Sequence, residues 1–229
     1  MFMEALSSPC PPANEAELLQ RVHAIAGKTL GQLANELNVP VPNNLQQNKG
    51  WQGQLLETAL GTTASTRPEP DFIELGIELK TIPIDEKGRP TESTYVCTVP
   101  LTENASLHWE QSWVKRKLAR VLWIPIESTS NTSIAKRCIG QGLLWQPDKD
   151  QRQQLQDDWE ELMDMVCLGQ LEQITAHHGQ VLQIRPKAAN ARTLTAGSDA
   201  NGHRCQTLPR GFYLRSRFTR EILQRHFIL

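Results

Sequence analysis

The chain has 229 residues, 39% hydrophobic and 21% charged, enough to bury about 70% of the surface its unfolded form exposes around a packed core. Its formal net charge of −1 excludes a uniformly basic nucleic-acid binder. No apolar run nears the roughly 20 residues of a spanning helix, and the first residues lack a signal peptide's basic start and apolar stretch, so no membrane is expected and the expected compartment is the cytoplasm.

Asn14-x-x-Glu17 is a capping-box pattern ahead of Leu18, Leu19, Val22 and Ile25, and Gly27 closes the helix it starts. Thr29 caps a second helix through Leu37, followed by a loop at Pro40, Pro42 and Asn43-Asn44. A third helix spans residues 51–60, ends before Gly61, and carries Glu57 just after Leu55 and Leu56. Residues 77–84 and 93–101, joined by the turn-forming residues 85–90, read as a hairpin. A strand covers residues 120–126. Residues 151–174 read as one helix with Leu155, Trp159, Leu162, Met163 and Val166 on one side. After Gly179 come a strand over residues 180–185, a loop bearing Arg185, Pro186 and Lys187, a strand near residues 212–214, and a last helix from about Thr219. Mixed elements around a central sheet give an α/β or α+β domain.

The chemistry concentrates at Asp71, Glu78 and Lys80: an Asp, six residues, then Glu-x-Lys. On a strand Glu78 and Lys80 share one face while Ile77 and Leu79 point to the other, so one face serves the core and one the chemistry. Two carboxylates suit Mg²⁺, which takes oxygen ligands and keeps several waters, and a lysine one strand step away can orient or deprotonate water and offset phosphate charge. This fits hydrolysis of a phosphodiester, although Glu-x-Lys alone is common on ordinary strands. Five cysteines, at 10, 97, 138, 167 and 205, are odd in number and widely spaced. They indicate neither a disulfide framework nor a zinc site and read as buried thiols. His177, His178 and Cys167 read as structural or solvated rather than as ligands.

The charges are segregated. From Arg185 onward stand Arg185, Lys187, Arg192, Arg204, Arg210, Arg215, Arg217, Arg220 and Arg225 against only Asp199 and Glu221. Lys115, Arg116, Lys117 and Arg120 form a second basic cluster, while Asp148, Asp150, Asp157, Asp158, Glu160, Glu161 and Asp164 gather in one helical stretch expected to face away from phosphate. Such a distribution suits one-sided DNA binding.

Residues 49–57 (Lys-Gly-Trp-Gln-Gly-Gln-Leu-Leu-Glu) leading into residues 73–83 (Ile-Glu-Leu-Gly-Ile-Glu-Leu-Lys-Thr-Ile-Pro) resemble the MutH family of DNA mismatch repair endonucleases. The resemblance continues, in the family's order, through residues 121–125, 157–165, 184–191 and 208–214; residues 1–12, 128–141 and 195–206 fall outside it. It implies the type II restriction endonuclease-like fold in two lobes with DNA between them, approximately residues 1–108 for catalysis and 109–229 for recognition and the C-terminal helix. It implies that Asp71, Glu78 and the additional acidic Glu57 hold Mg²⁺, or Mn²⁺ in its place, with Lys80 and a second lysine, Lys117, in catalysis; chemistry alone does not separate Lys117 from Lys115. It implies DNA contacts from Lys49, Arg185, Pro186 and Lys187 and methylation sensing by Tyr213. An arginine at 185 can bridge O6 and N7 of guanine in the major groove. The implied reaction nicks the unmethylated strand 5′ to the G of hemimethylated GATC, activated by MutL, itself engaged by mismatch-bound MutS. A monomer is expected, because one strand is cut. The alternatives are a GATC restriction enzyme cutting both strands and a non-catalytic GATC-binding protein.

Overall fold

The computed structural model describes residues 9–44, 48, 50–62, 69–102, 104, 106–129, 132–187 and 193–227. In chain order they form α1 (Glu15–Ile25), α2 (Leu30–Glu36), α3 (Trp51–Leu60), β1 (Glu78–Ile84), β2 (Thr94–Thr98), α4 (Trp113–Leu118) and β3 (Val121–Glu127). There follow β4 (Leu143–Trp145), α5 (Lys149–Cys167), β5 (Leu182–Pro186), β6 (Thr195–Ser198), β7 (Arg204–Thr207), β8 (Arg210–Leu214) and α6 (Ser216–His226). The chain is mixed α/β and divides into two compact units, each built from two stretches. One runs to Thr91 and takes in Arg120–Trp145; the other comprises Glu92–Ala119 and the chain from Gln146. The division therefore does not fall as a single break between residues 108 and 109.

In the first unit a three-stranded sheet has the order β1-β3-β4, with β1 parallel to β3 and β4 antiparallel to it. The three N-terminal helices begin and end where their caps dictate. Asn14 accepts from Glu17 N at 3.0 Å, Thr29 and Gln32 cap each other reciprocally, and Gly61 closes α3 at φ 77°. Their apolar faces, including Leu18, Val22, Leu33, Leu55, Leu56 and Leu60, are buried in one core with Ile77, Leu79, Leu122 and Ile124.

The expected hairpin of residues 77–101 does not form. The turn is there: Asp85 N donates to Arg89 O, Thr91 N donates to Pro83 O, and Gly88 takes φ 70°. Pro83 offers an acceptor but no donor on that edge, so the ladder stops after one rung. β1 pairs instead with β3, and a parallel pair needs a long crossover, which here runs through the second unit.

That unit holds the antiparallel sheet β2-β8-β5 and the separate ribbon β6-β7. α5 buries Leu155, Trp159, Leu162, Met163 and Val166 as its periodicity requires. It stops at Cys167 rather than near residue 174, because Gly169 at φ 68° and Gln170 donate back to Val166 and Met165 in a Schellman close. Arg185 and Pro186 belong to β5 itself rather than to a loop, with Pro186 paired to Arg210 on an edge strand, where a missing donor is tolerated. α6 starts at Ser216, three residues before the expected start. Cys10, Cys138 and Cys167 are exposed and Cys97 and Cys205 partly so, all as free thiols, so the expectation of buried thiols fails. Among the described residues no helix is long and apolar enough to cross a membrane.

Candidate active site and recognition face

β1 is an edge strand, and its edge explains where Asp71 sits. Glu78 N donates to Arg120 O, next to the start of β3. One residue on, Leu79 N must point to the opposite, open edge. A short helical turn over Ile73–Leu75, closed by Gly76 at φ 62°, folds the chain back so that Phe72 bridges Ile77. Asp71 Oδ2 then accepts the Leu79 N–H at 2.8 Å. The six-residue spacing between Asp71 and Glu78 is thus the length of a tight return, and it brings both carboxylates to the start of one strand.

Alternation holds at the start of β1, where Ile77 and Leu79 enter the core, while Glu78, only 3% exposed, turns the other way and accepts from Lys80 Nζ at 2.7 Å. It does not separate a core face from a chemical one along the whole strand, since Ile82, on the face of Glu78 and Lys80, is fully buried too. Taking a carboxylate out of water is costly for stability, and the partly buried Lys80 supplies the opposite charge that offsets this cost at Glu78. Trp123 of β3 lies beside Lys80 in register and is fully buried, and its indole Nε1 finds no partner among the described residues. Nothing in the motif pointed to it.

Glu57 lies on the last turns of α3 and lines an open groove with Val39, Trp51, Gln54 and Thr58. Among the described residues no cluster of three or more His, Cys, Asp or Glu side chains forms a cage for a metal, so Glu57 is not gathered with Asp71 and Glu78 as a third ligand. Two hard carboxylates do suit an ion that keeps most of its waters, as Mg²⁺ does. Lys117 lies on α4, in the second unit. Its neighbour Lys115 is tied to Glu110 in an ion pair.

In the second unit the sheet β2-β8-β5 has a buried face, with Leu182, Phe212 and Leu214. Its opposite face carries Tyr95, Tyr213 and Gln183 in one row and Gly211 and Arg185 in the next. The Arg185 guanidinium lies 5.8 Å from the Tyr213 ring centroid, and its NH1 reaches Ser93 Oγ at 3.4 Å. Burial, then Tyr95, push the Tyr213 phenol above its ordinary range, with Arg185 opposing. Lys187 follows β5 directly, anchored by its own N–H to Pro209 O. Lys49 lies outside the described residues.

Several of the C-terminal arginines are engaged within the chain, at its surface. Arg210 pairs with Glu172 and Arg225 with Asp148. Arg215 donates to the carbonyls of Ala176 and His178, and Arg217 to that of Gln180. Likewise Arg120 pairs with Glu15. Nor is the acidic helix merely solvated: Asp158, 5% exposed, accepts the N–H groups of Gln180, Val181 and Leu182 at 2.6–2.7 Å.

The model of the family described as DNA mismatch repair enzyme MutH matches residues 60–158. The chain is 54% identical over 219 residues to the DNA mismatch repair protein MutH of Escherichia coli O6:K15:H31, covering 96% of each chain. The chain belongs to the MutH family. The MutH protein of Klebsiella pneumoniae strain 342 is 52% identical over 96% of this chain and 95% of its own. Asp71, Glu78 and Lys80 lie within the matched stretch, and Glu57 lies three residues before it. MutH proteins share the restriction endonuclease-like fold, and as a member of a family of mismatch repair endonucleases the chain is a nuclease acting on DNA.

Proposed function

We propose that this nuclease nicks the unmethylated strand of double-stranded DNA, 5′ to the G of a hemimethylated GATC site, in methyl-directed mismatch repair. The observation that carries the reading is the pairing of buried Glu78 with the partly buried Lys80 beside an Asp71 fixed on the edge of the same strand, in a member of this family. Asp71 and Glu78 would hold Mg²⁺, or Mn²⁺ in its place, and the bound ion supplies positive charge against the scissile phosphate. Lys80 Nζ orients the Glu78 carboxylate and lends its own charge to the nonbridging oxygens as they gain charge during in-line attack. Glu57 and Lys117 take the accessory roles that family membership implies, Glu57 at the attacking water and Lys117 as the second lysine.

Selection of the site falls to Arg185, Pro186, Lys187, Tyr213 and Lys49. Arg185 presents two parallel donors, the pattern that guanine O6 and N7 accept. The half-buried Tyr213 ring packs against the adenine N6 amino group, where a methyl replaces a donor hydrogen and adds bulk. MutL, recruited by mismatch-bound MutS, activates the monomeric enzyme.

The purified chain is incubated with unmethylated, hemimethylated or fully methylated GATC duplexes, with Mg²⁺ or EDTA and with or without MutL, and products are resolved by strand. Nicking confined to the unmethylated strand, stimulated by MutL and abolished by EDTA, is expected. MutL-independent cutting of both strands would make it a restriction enzyme, and binding without cleavage would make it a DNA-binding module.

A further inference from the structure

One side chain on the outward face of the β2-β8-β5 sheet touches both halves of the proposed recognition set. Tyr95 stands opposite Tyr213 in the antiparallel register. The two rings meet edge to face, centroids 5.4 Å apart and planes at 65°, which sets the positive edge of one ring against the negative face of the other. Tyr95 also receives Lys187. The ammonium lies 3.8 Å from its ring centroid and donates to its hydroxyl, which meets Thr98 Oγ1 at 3.0 Å.

The backbone is shaped around this cluster. At Gly211 an added methyl would come 2.9 Å from Tyr95 Cε2 and 3.0 Å from Tyr213 Cε2, so the two rings occupy the space a side chain would fill. Directly after Tyr95 the register with β8 shifts by a bulge before Cys97, a device that re-aims a side chain. An exposed lysine left loose would lose its rotamer freedom on meeting DNA, and a lysine already held loses less.

We infer that Tyr95 is a positioning residue for target recognition: its ring sets Tyr213 and its hydroxyl holds the Lys187 ammonium, so both are presented in a fixed relation before DNA arrives. The inference rests on the reading of Arg185, Lys187 and Tyr213 as the DNA-recognition residues. The two parts separate cleanly, since Tyr95→Phe removes only the hydroxyl and Tyr95→Leu removes the ring as well.

The test uses the full chain with Mg²⁺, measuring steady-state nicking of hemimethylated and fully methylated GATC duplexes. NMR of the Lys187 ε-methylene and of 13C-labelled Tyr213 is recorded without DNA. Tyr95→Phe should raise KM about fivefold, the size of one hydrogen bond, with kcat and methylation discrimination kept, and should shift the Lys187 resonance but not that of Tyr213. Tyr95→Leu should shift both and lower discrimination. In a Lys187→Met background Tyr95→Phe should add nothing further, whereas a merely structural role gives additive losses. An unmoved Lys187 resonance with unchanged KM in Tyr95→Phe, or its full effect persisting beside Lys187→Met, overturns the inference. Should Tyr95→Leu fail to fold, Tyr95→Phe alone decides the lysine half, and Tyr95→Met, which removes the ring but keeps a flexible apolar chain in its space, decides the Tyr213 half by the same shift. If the wild-type chain nicks no GATC duplex, the functional reading fails, and the resonance shifts still decide whether Tyr95 positions Lys187 and Tyr213.

Discussion

Asp71 has two separable jobs, and an amide tells them apart. Its Oδ2 accepts the edge N–H of Leu79, and its charge serves the proposed metal. Asp71→Asn keeps an oxygen acceptor for Leu79 and loses the charge. Thermal melting should be nearly unchanged, GATC binding largely kept, and single-turnover nicking reduced at least about a hundredfold, on the scale of losing one electrostatic contribution to the transition state. Nicking at the wild-type rate would remove Asp71 from the metal assignment. The sequence showed Asp71, Glu78 and Lys80 as a motif, because strand alternation alone puts Glu78 and Lys80 on one face. It did not show the Leu79 N–H or Trp123, because backbone donors carry no residue signature and Trp123 reaches Lys80 only through a non-local strand pairing.

At the scale of elements, two anchors that look like surface charge hold structure in place. Asp158 of α5 collects three consecutive backbone donors from residues 180–182, at the entry to β5. Asp158→Ala strands those donors in a buried place and should cost about 3 kcal/mol or more, while Asp158→Asn, which keeps one acceptor, should cost about half as much. Urea unfolding with an unchanged slope measures this as a shift in midpoint; equal midpoints in the three proteins would return Asp158 to the solvated face.

The turn after β1 is set by Asp85. The Arg89 guanidinium, then the Arg89 and Lys87 N–H groups, hold its carboxyl down to about 2, from an ordinary 3.8. A depressed carboxyl contributes stability that is full above its unfolded value and is lost as pH falls through its folded one. The turn should therefore loosen between about pH 4 and pH 2. Carbonyl-carbon NMR of Asp85 should show a midpoint near the lower figure; a midpoint near 3.8 would mean that the turn is not held this way. Helix bounds at Asn14, Thr29 and Gly61 were legible because caps are local. The strand partners were not, since Pro83 ends a hairpin that turn residues alone predict, and the β6-β7 ribbon lies in a stretch of small polar residues without alternation.

For the whole molecule, net charge is a poor guide to the DNA footprint, because basic residues divide between holding the fold and facing outward. Arg215 and Arg217 spend their donors on carbonyls of residues 176–180, and burial followed by Arg217 lowers the Arg215 pKa. Lys187 and Arg185 stand exposed at the end of an edge strand, and their side chains meet Ser93 and the two tyrosines of the outward face. Counterion release makes log Kd linear in log salt, with a slope of about 0.9 per phosphate neutralised on duplex DNA. Lys187→Met should thus weaken binding on every sequence and lower the slope by about one if Lys187 meets a phosphate, and Arg185→Met should instead relax the choice of GATC. Arg215→Met should leave the slope alone and lower stability by about 1 kcal/mol, since water can replace the guanidinium at the exposed carbonyl of Ala176 and only in part at that of His178. Filter binding across a salt series, set beside urea midpoints for the same proteins, separates the classes. A salt slope that falls in Arg215→Met as it does in Lys187→Met would show that the basic C-terminal region meets DNA as a continuous surface, and the division between fold-holding and DNA-facing arginines would have to be abandoned.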